Sequence, residues 1–402
     1  MSARQATNGT HSTPLRVLIA GGGVAALEAA LALRHLAEER VEIGLLAPET
    51  HFWYRPLAVL EPFGGGHVHG LELAEFAEAC GAVFTLGALA SVDAEAHTVL
   101  TVAGAEIDYD ALVIATGASA VGAIPGALTF RGPADTASFR DLVAEVERGL
   151  VRRLVFAVPG GVVWPLPLYE LALQTAAYLR RTGANDAELA VVTHEHSPLA
   201  IFGAPASDLV ADMLQAAEVA FHPRRYAAAA KDGALSVVPP PGIPADRVVA
   251  LPRLVGNVIP GVSHDGDGFI PTDLHARVSG LDDVFAAGDT TTFPVKQGGL
   301  AAQQADAAAQ VIAATAGAEV RPEPFRPVLR GLILTGRAPA FVRSELTGGG
   351  GDTSVAEAEA LWWPPGKIVG RYLAPFLAER AGIILDVDGV PVDVGLPEPA
   401  LR

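Results

Sequence analysis

The chain has 402 residues, 50% of them hydrophobic and 18% charged, the make-up of an ordered globular protein long enough for two or three domains and a sizeable core. With 45 acidic against 28 basic residues the net charge is −17, which excludes the basic footprint of a nucleic-acid binder and argues against electrostatic docking on an anionic membrane. The single cysteine, Cys80, allows no intrachain disulfide and no CxxC for a metal or dithiol, and it fits a reduced, cytoplasmic setting.

The polar stretch 1–14 reads as a disordered tail rather than a signal peptide. Arg16 to Ala20 is then a short apolar strand ending in Gly21-Gly22-Gly23, followed by an Ala- and Leu-rich helix from Ala25 to Arg40 and a second strand from Val41 to Ala47. That is one βαβ unit. Its turn fits G-x-G-x-x-G/A: Gly21 permits the tight turn, Gly23 lets a pyrophosphate approach the backbone, and Ala26 lets the helix pack closely. Such units usually end the second strand in an acid that binds the adenosine ribose, but here the first acid is Glu49, beyond Pro48. Either Glu49 reaches back, or backbone and water hold the ribose.

An aromatic segment, Thr50-His51-Phe52-Trp53-Tyr54-Arg55-Pro56-Leu57, comes next. Cys80, at a helix-to-strand junction, reads as structural. The longest uncharged run, Leu112 to Phe130, is broken by glycines and a proline and is a strand and turn, not a membrane span. Its strand, from Asp110, ends in Ala115-Thr116-Gly117.

A second unit opens with the strand Arg153 to Val158, followed by a helix from Leu168 to Arg180 and a strand from Glu188 to Thr193. Its turn, Pro159-Gly160-Gly161-Val162-Val163-Trp164-Pro165-Leu166-Pro167, is degenerate: three prolines remove N–H donors and Trp164 fills the loop, so it makes no ordinary phosphate cradle. His67-Val68-His69 and His194-Glu195-His196 lack third and fourth ligands, so no metal site is expected. The strand Asp283 to Ala287 ends in Gly288-Asp289, and an Ala-rich helix from Leu300 to Ala314 follows Lys296-Gln297-Gly298-Gly299. Alternating strands and helices imply an α/β protein with parallel sheets. The expected division is a first domain over 15–128 resumed at 255–320, an inserted second unit over 129–254, and a C-terminal region over 321–402.

Together, the first glycine turn, the Ala-Thr-Gly strand end and the Gly-Asp strand end resemble the FAD/NAD-linked (pyridine nucleotide-disulfide) oxidoreductase superfamily over residues 15–315. The aromatic-x-Pro-Leu segment is similar to one in sulfide:quinone reductases, flavocytochrome c sulfide dehydrogenases and type 2 NADH dehydrogenases. The resemblance implies two Rossmann-like dinucleotide-binding domains with a C-terminal extension. It implies FAD, bound by Gly21, Gly23, Ala26, Glu49, Arg55, Thr116, Gly117, Gly288, Asp289, Lys296, Gln297 and Gly298. The helix after Gly298 would point its N-terminus at the flavin, and Lys296 would stabilise the reduced form. In the sulfide-oxidising members a Pro-x-Tyr-Glu follows a redox cysteine; counting back from Tyr169-Glu170, that position is Trp164, so persulfide chemistry is absent. Gln303-Gln304 loosely matches a glutamine pair near quinone in type 2 NADH dehydrogenases, or is a plain helix face.

The implied function is FAD-dependent electron transfer between a small-molecule donor and acceptor, a quinone first among acceptors, with Lys296 and Trp164 as the residues closest to the chemistry. The alternatives are a type 2 NAD(P)H dehydrogenase and a non-catalytic or partner-dependent flavoprotein subunit. Expected partners beyond the substrates are a second copy in a homodimer or a partner subunit. The expected setting is cytoplasmic, possibly at the membrane periphery. Whether the stretch Lys367 to Leu373 docks on a membrane, a partner or its own core stays open.

Overall fold

Five short apolar runs build the first sheet. In the computed structural model, which describes residues 13–66, 68–184, 186–346 and 354–380, they lie parallel in the order Val284–Ala286, Ala111–Ile114, Leu15–Ala20, Val41–Ala47 and Ala82–Leu86. Most of the expected N-terminal tail and His67 lie outside the described residues. The three inner strands are apolar almost throughout, as a parallel sheet covered on both faces requires. One face carries the helices Val24–Ala37 and Gly298–Thr315, which pack on each other through alanines buried from solvent. The other face is covered by a three-stranded antiparallel sheet, Leu89–Asp93, Thr98–Thr101 and Glu106–Asp108, whose Val92 and Val99 pack with Leu18, Leu46, Leu112 and Val284.

A second five-stranded parallel sheet has the order Leu128–Thr129, Arg247–Ala250, Arg153–Ala157, Glu188–Val192 and Val219–His222. Its helix Leu166–Thr182 is buried over most of its length. The two parallel sheets with helical layers are the expected Rossmann-like architecture.

The C-terminal region builds a third sheet, Val328–Ile333, Ala340–Glu345 and Val355–Glu357. The free edge of its first strand meets the Gly298–Thr315 helix rather than solvent. There Gln303 accepts from the Val328 N–H at 2.9 Å and donates to the Val328 carbonyl at 3.0 Å, and Gln297 donates to the Arg330 carbonyl at 3.1 Å. These amide side chains supply hydrogen bonds that a neighbouring strand would otherwise make. Gln303 thus holds the third sheet, and Gln304 accepts from the Gly288 N–H at 2.7 Å, so both glutamines of the pair are engaged in structural bonds.

The stretch from Gly366 to Leu373 docks on its own core, through three buried partners. Ile368 N–H donates to the Tyr54 hydroxyl at 2.9 Å. Lys367 Nζ lies 2.6 and 2.5 Å from the two carboxylate oxygens of Glu170, and the side chains are 7% and 0% exposed. Glu28, fully buried in the first helix, accepts from Tyr372 N–H at 2.8 Å and Leu373 N–H at 2.7 Å, where the Leu373–Glu379 helix begins. Asp306 of the Gly298–Thr315 helix faces Glu28, and burial together with the Glu28 charge holds its carboxyl well above the ordinary range. No helix among the described residues is long and apolar enough to cross a membrane.

Two stability measurements follow from these contacts. Glu170→Ala leaves the Lys367 ammonium buried without its counter-charge, and urea unfolding is expected to show a loss of about 3–5 kcal/mol, largely recovered when Lys367→Met is added. For Asp306, the folded state keeps a proton that the unfolded chain gives up above about pH 4, so its contribution to stability falls as pH rises from there. Asp306→Asn should lose less stability than wild type between pH 4.5 and 7.5; equal losses would mean the carboxyl is ionised in the fold.

Candidate active site

All five strands of the first sheet deliver residues to one cleft at their carboxyl ends, the position at which open α/β sheets bind ligands. Its volume is about 630 Å³. Gly21, Gly22 and Gly23 follow the central strand, Pro48 and Glu49 the second, Ala88 and Leu89 the edge strand, Thr116 and Gly117 the Ala111–Ile114 strand, and Gly288 and Asp289 the last. The inter-strand bonding runs one residue past each strand: Gly21 N–H donates to Leu46 O at 2.8 Å, Ala115 N–H to Ala20 O at 2.7 Å, and Ala287 N–H to Ile114 O at 3.0 Å. The turns are therefore fixed by the sheet itself.

The glycines divide into two kinds. Gly21 has φ +143°, and a Cβ there would lie 2.1 Å from the Ala115 carbonyl oxygen, so this position serves the fold. Gly23, the N-cap of the first helix, makes no side-chain cap, and a Cβ there would meet nothing within 4 Å; it would project into the open cleft. The first helix thus offers uncapped N–H groups and its positive dipole end to an anion that comes close to the backbone. Ala26 is fully buried behind the turn and does not line the cleft.

The lining also includes Arg55, Asp289, Gly298 and Ile368. Asp289 makes no hydrogen bond to any described residue, and its carboxyl is raised by burial while Lys296 and Arg55 act in the opposite sense. Lys296 lies behind the wall. Its ammonium donates to the Thr291 carbonyl and sits 3.8 Å from the Phe269 ring centroid, and burial lowers it to about 8 against the pull of Asp289 and Asp265. Gln297 also stays out of the cleft: it caps the Gly298–Thr315 helix, accepting from Leu300 N–H at 2.8 Å. Gly298 opens that helix onto the cleft, with Ile368 packed beside it. Thr116 Oγ1 lies 3.4 Å from Thr290 Oγ1, and the Gly117 carbonyl accepts from Asn257 Nδ2 at 3.5 Å.

The second sheet carries a different mouth. Pro165 is the N-cap of the Leu166–Thr182 helix, Pro167 follows within its first turn, and Trp164 packs on Phe202 with centroids 5.7 Å apart. Trp164 does not line the cleft of the first sheet. Cys80 is buried, with its thiol donating to the Ala77 carbonyl at 3.5 Å and burial holding the thiol up, away from the reactive thiolate.

The profile of the pyridine nucleotide-disulphide oxidoreductases matches residues 15–311. The chain belongs to that family. It is an oxidoreductase by that membership, and three solved structures share its fold. The sulfide:quinone oxidoreductase of Aquifex aeolicus is 19% identical, with a TM-score of 0.75 over 85% of this chain and 86% of that one. The ferredoxin reductase for the CYP199A2 system of Rhodopseudomonas palustris is 22% identical, with a TM-score of 0.64 over 84% of each chain. The reductase in a covalent putidaredoxin reductase–putidaredoxin complex is 19% identical, with a TM-score of 0.61 over 84% of this chain and 83% of that one. No curated protein sequence matches the chain significantly.

Sequence reasoning missed Ile368, Asn257 and the buried acids. Glu28 and Asp306 carried a signal, since each is the one acid in an otherwise apolar, Ala-rich helix. Ile368 carried none, because its place depends on where Glu28, Tyr54 and Glu170 hold the chain.

The two kinds of glycine predict opposite outcomes. Gly21→Ala should destabilise the fold and abolish ligand binding together. Gly23→Val should melt near the wild-type temperature yet lose the capacity to bind an added dinucleotide such as FAD, as read by near-ultraviolet and visible absorbance after reconstitution and desalting.

Proposed function

We propose that this oxidoreductase holds FAD in the cleft of the first sheet and uses it to carry electrons between a small-molecule donor and a quinone-like acceptor. The observation that supports this most is the pairing of an open glycine with an unpartnered acid. Gly23 and the first helix terminus suit the pyrophosphate, and the Asp289 carboxylate in the same cleft has free lone pairs for a ribityl hydroxyl. Glu49, exposed at the cleft rim, is placed to take the adenosine ribose, and Arg55 to neutralise phosphate. Gly298 aims the second helix terminus at the same space. FAD, when bound, accepts a hydride or electron pair and releases electrons singly or in pairs.

Lys296 works through Asp289 rather than at the cleft. Burial favours a protonated Asp289, which would lose acceptor capacity; the Lys296 and Arg55 charges oppose that. Lys296 is thus a positioning residue whose charge opposes protonation of Asp289. Trp164, Pro165 and Pro167 argue against a nicotinamide donor at the second sheet. Pyrophosphate binding needs several converging N–H groups and space, and two prolines and an indole remove both. Cys80, buried and alone, argues against persulfide formation.

The purified protein is expected to be yellow, with FAD that acid releases intact. Asp289→Ala should weaken retention by about 1.5–3 kcal/mol; wild-type occupancy would assign Asp289 another role. In anaerobic stopped-flow mixing, NADH, NADPH and sulfide are expected to reduce the flavin slowly. Bleaching by micromolar NADH within about a second would favour a type 2 NADH dehydrogenase instead.

A further inference from the structure

The third sheet carries a pair of arginines that the cleft does not use. Arg330 and Arg343 are direct partners across its antiparallel strands, so their side chains leave the same face side by side. Like charges directly opposite are unfavourable. Among the described residues Glu345 stands nearby, its Oε1 2.8 Å from an Arg343 Nη. Arg330 makes no side-chain hydrogen bond or ion pair within the described chain, and its Nε is shut off from solvent without a partner. Burial first, and Arg343 second, lower its guanidinium to about 10, with Glu345 opposing. Most partly buried arginines are paired. In a chain with 45 acids against 28 basic residues, a guanidinium left unmatched among the described residues beside a second one is an unfilled acceptor position there, not a shortage of acids.

We propose that Arg330 and Arg343 form a receptor for an oxyanion, the carboxylate or phosphate group of a small molecule. A guanidinium is planar, and its forked N–H donors match the spacing of carboxylate and phosphate oxygens. An anion there cancels the cross-strand repulsion and gives the half-buried Arg330 guanidinium an acceptor. The site is distinct from the cleft, none of whose lining residues belongs to this sheet. It is nonetheless joined to it: the Arg330 carbonyl accepts from Gln297, the cap of the helix whose first residue, Gly298, lines the cleft.

The test uses the full-length protein with its cofactor and needs no turnover, so its outcome is separate from that of the proposed electron transfer. Thermal unfolding is followed with inorganic phosphate or malonate titrated against chloride at constant ionic strength. A saturable rise of about 2 °C or more is expected with at least one of them; a response to phosphate alone assigns a phosphate ligand, and to malonate alone a carboxylate. Arg330→Gln should abolish the response and itself melt no lower than wild type, because it removes an unpaired buried charge. Arg330→Lys, which keeps the charge but not the fork, should weaken the apparent affinity at least about tenfold. The exposed Arg326→Gln should leave the response intact. The absence of any saturable rise, or a rise that survives in Arg330→Gln, overturns the proposal.

Discussion

The hold of Glu28 on the chain some 340 residues later organises the molecule. Its carboxylate takes the N–H groups of Tyr372 and Leu373, and Gly370 passes so close that a Cβ there would fall 2.2 Å from Glu28 Oε2. Bonds of this kind, to a charged acceptor out of water, contribute about 1.5–3 kcal/mol each. Asp306 completes the arrangement by staying protonated: two carboxylates facing each other in an apolar helix pair cannot both ionise. One buried acid thereby ties the first helix, the Gly298–Thr315 helix and the C-terminal segment into one body. Ile368, four residues before Tyr372, becomes a wall of the cleft as a result.

That tie explains which parts of the fold could be read in advance. The strands at Leu15–Ala20, Val41–Ala47, Ala111–Ile114, Arg153–Ala157, Glu188–Val192 and Val284–Ala286 are short apolar runs that end in glycine, proline or a polar residue, and such runs reveal themselves locally. The helices Val24–Ala37, Leu166–Thr182 and Gly298–Thr315 follow from alanine and leucine content. The antiparallel strands of 89–108 and the Tyr226–Lys231 and Ala234–Val238 hairpin are half exposed and mix polar with apolar residues, so no single period marks them. The third sheet was illegible for another reason. Its first strand gives its outer edge to two glutamine side chains, and no strand pattern encodes that.

The site divides along the same line. Glycine turns announce themselves because only glycine fits: Gly21 by its φ and by the Ala115 carbonyl, Gly288 with φ +83° between the Cβ atoms of Ala25 and Ala301. Charged side chains do not announce their direction. Lys296 and Asp289 are seven residues apart in a segment rich in small residues, and sequence alone cannot tell which of them faces the cleft. The fold answers through packing: the lysine ammonium sits over the Phe269 ring, behind the wall, while Asp289 follows Gly288 straight off the strand end.

The second sheet shows what happens when a dinucleotide frame loses its turn but keeps its neighbours. Tyr169 still donates to Glu195 at 2.6 Å, and Glu170 still holds Lys367, so the helix after the degenerate turn remains bolted at both the sheet and the C-terminal segment. Trp164 then has one place to go, onto Phe202, and Phe202 in turn is pressed by Gly331 of the third sheet, where a Cβ would come within 2.9 Å of its ring. The indole therefore does more than fill a vacated loop. It couples the mouth of the second sheet to the strand that bears Arg330, through a Phe202 ring with no spare room on its Gly331 side.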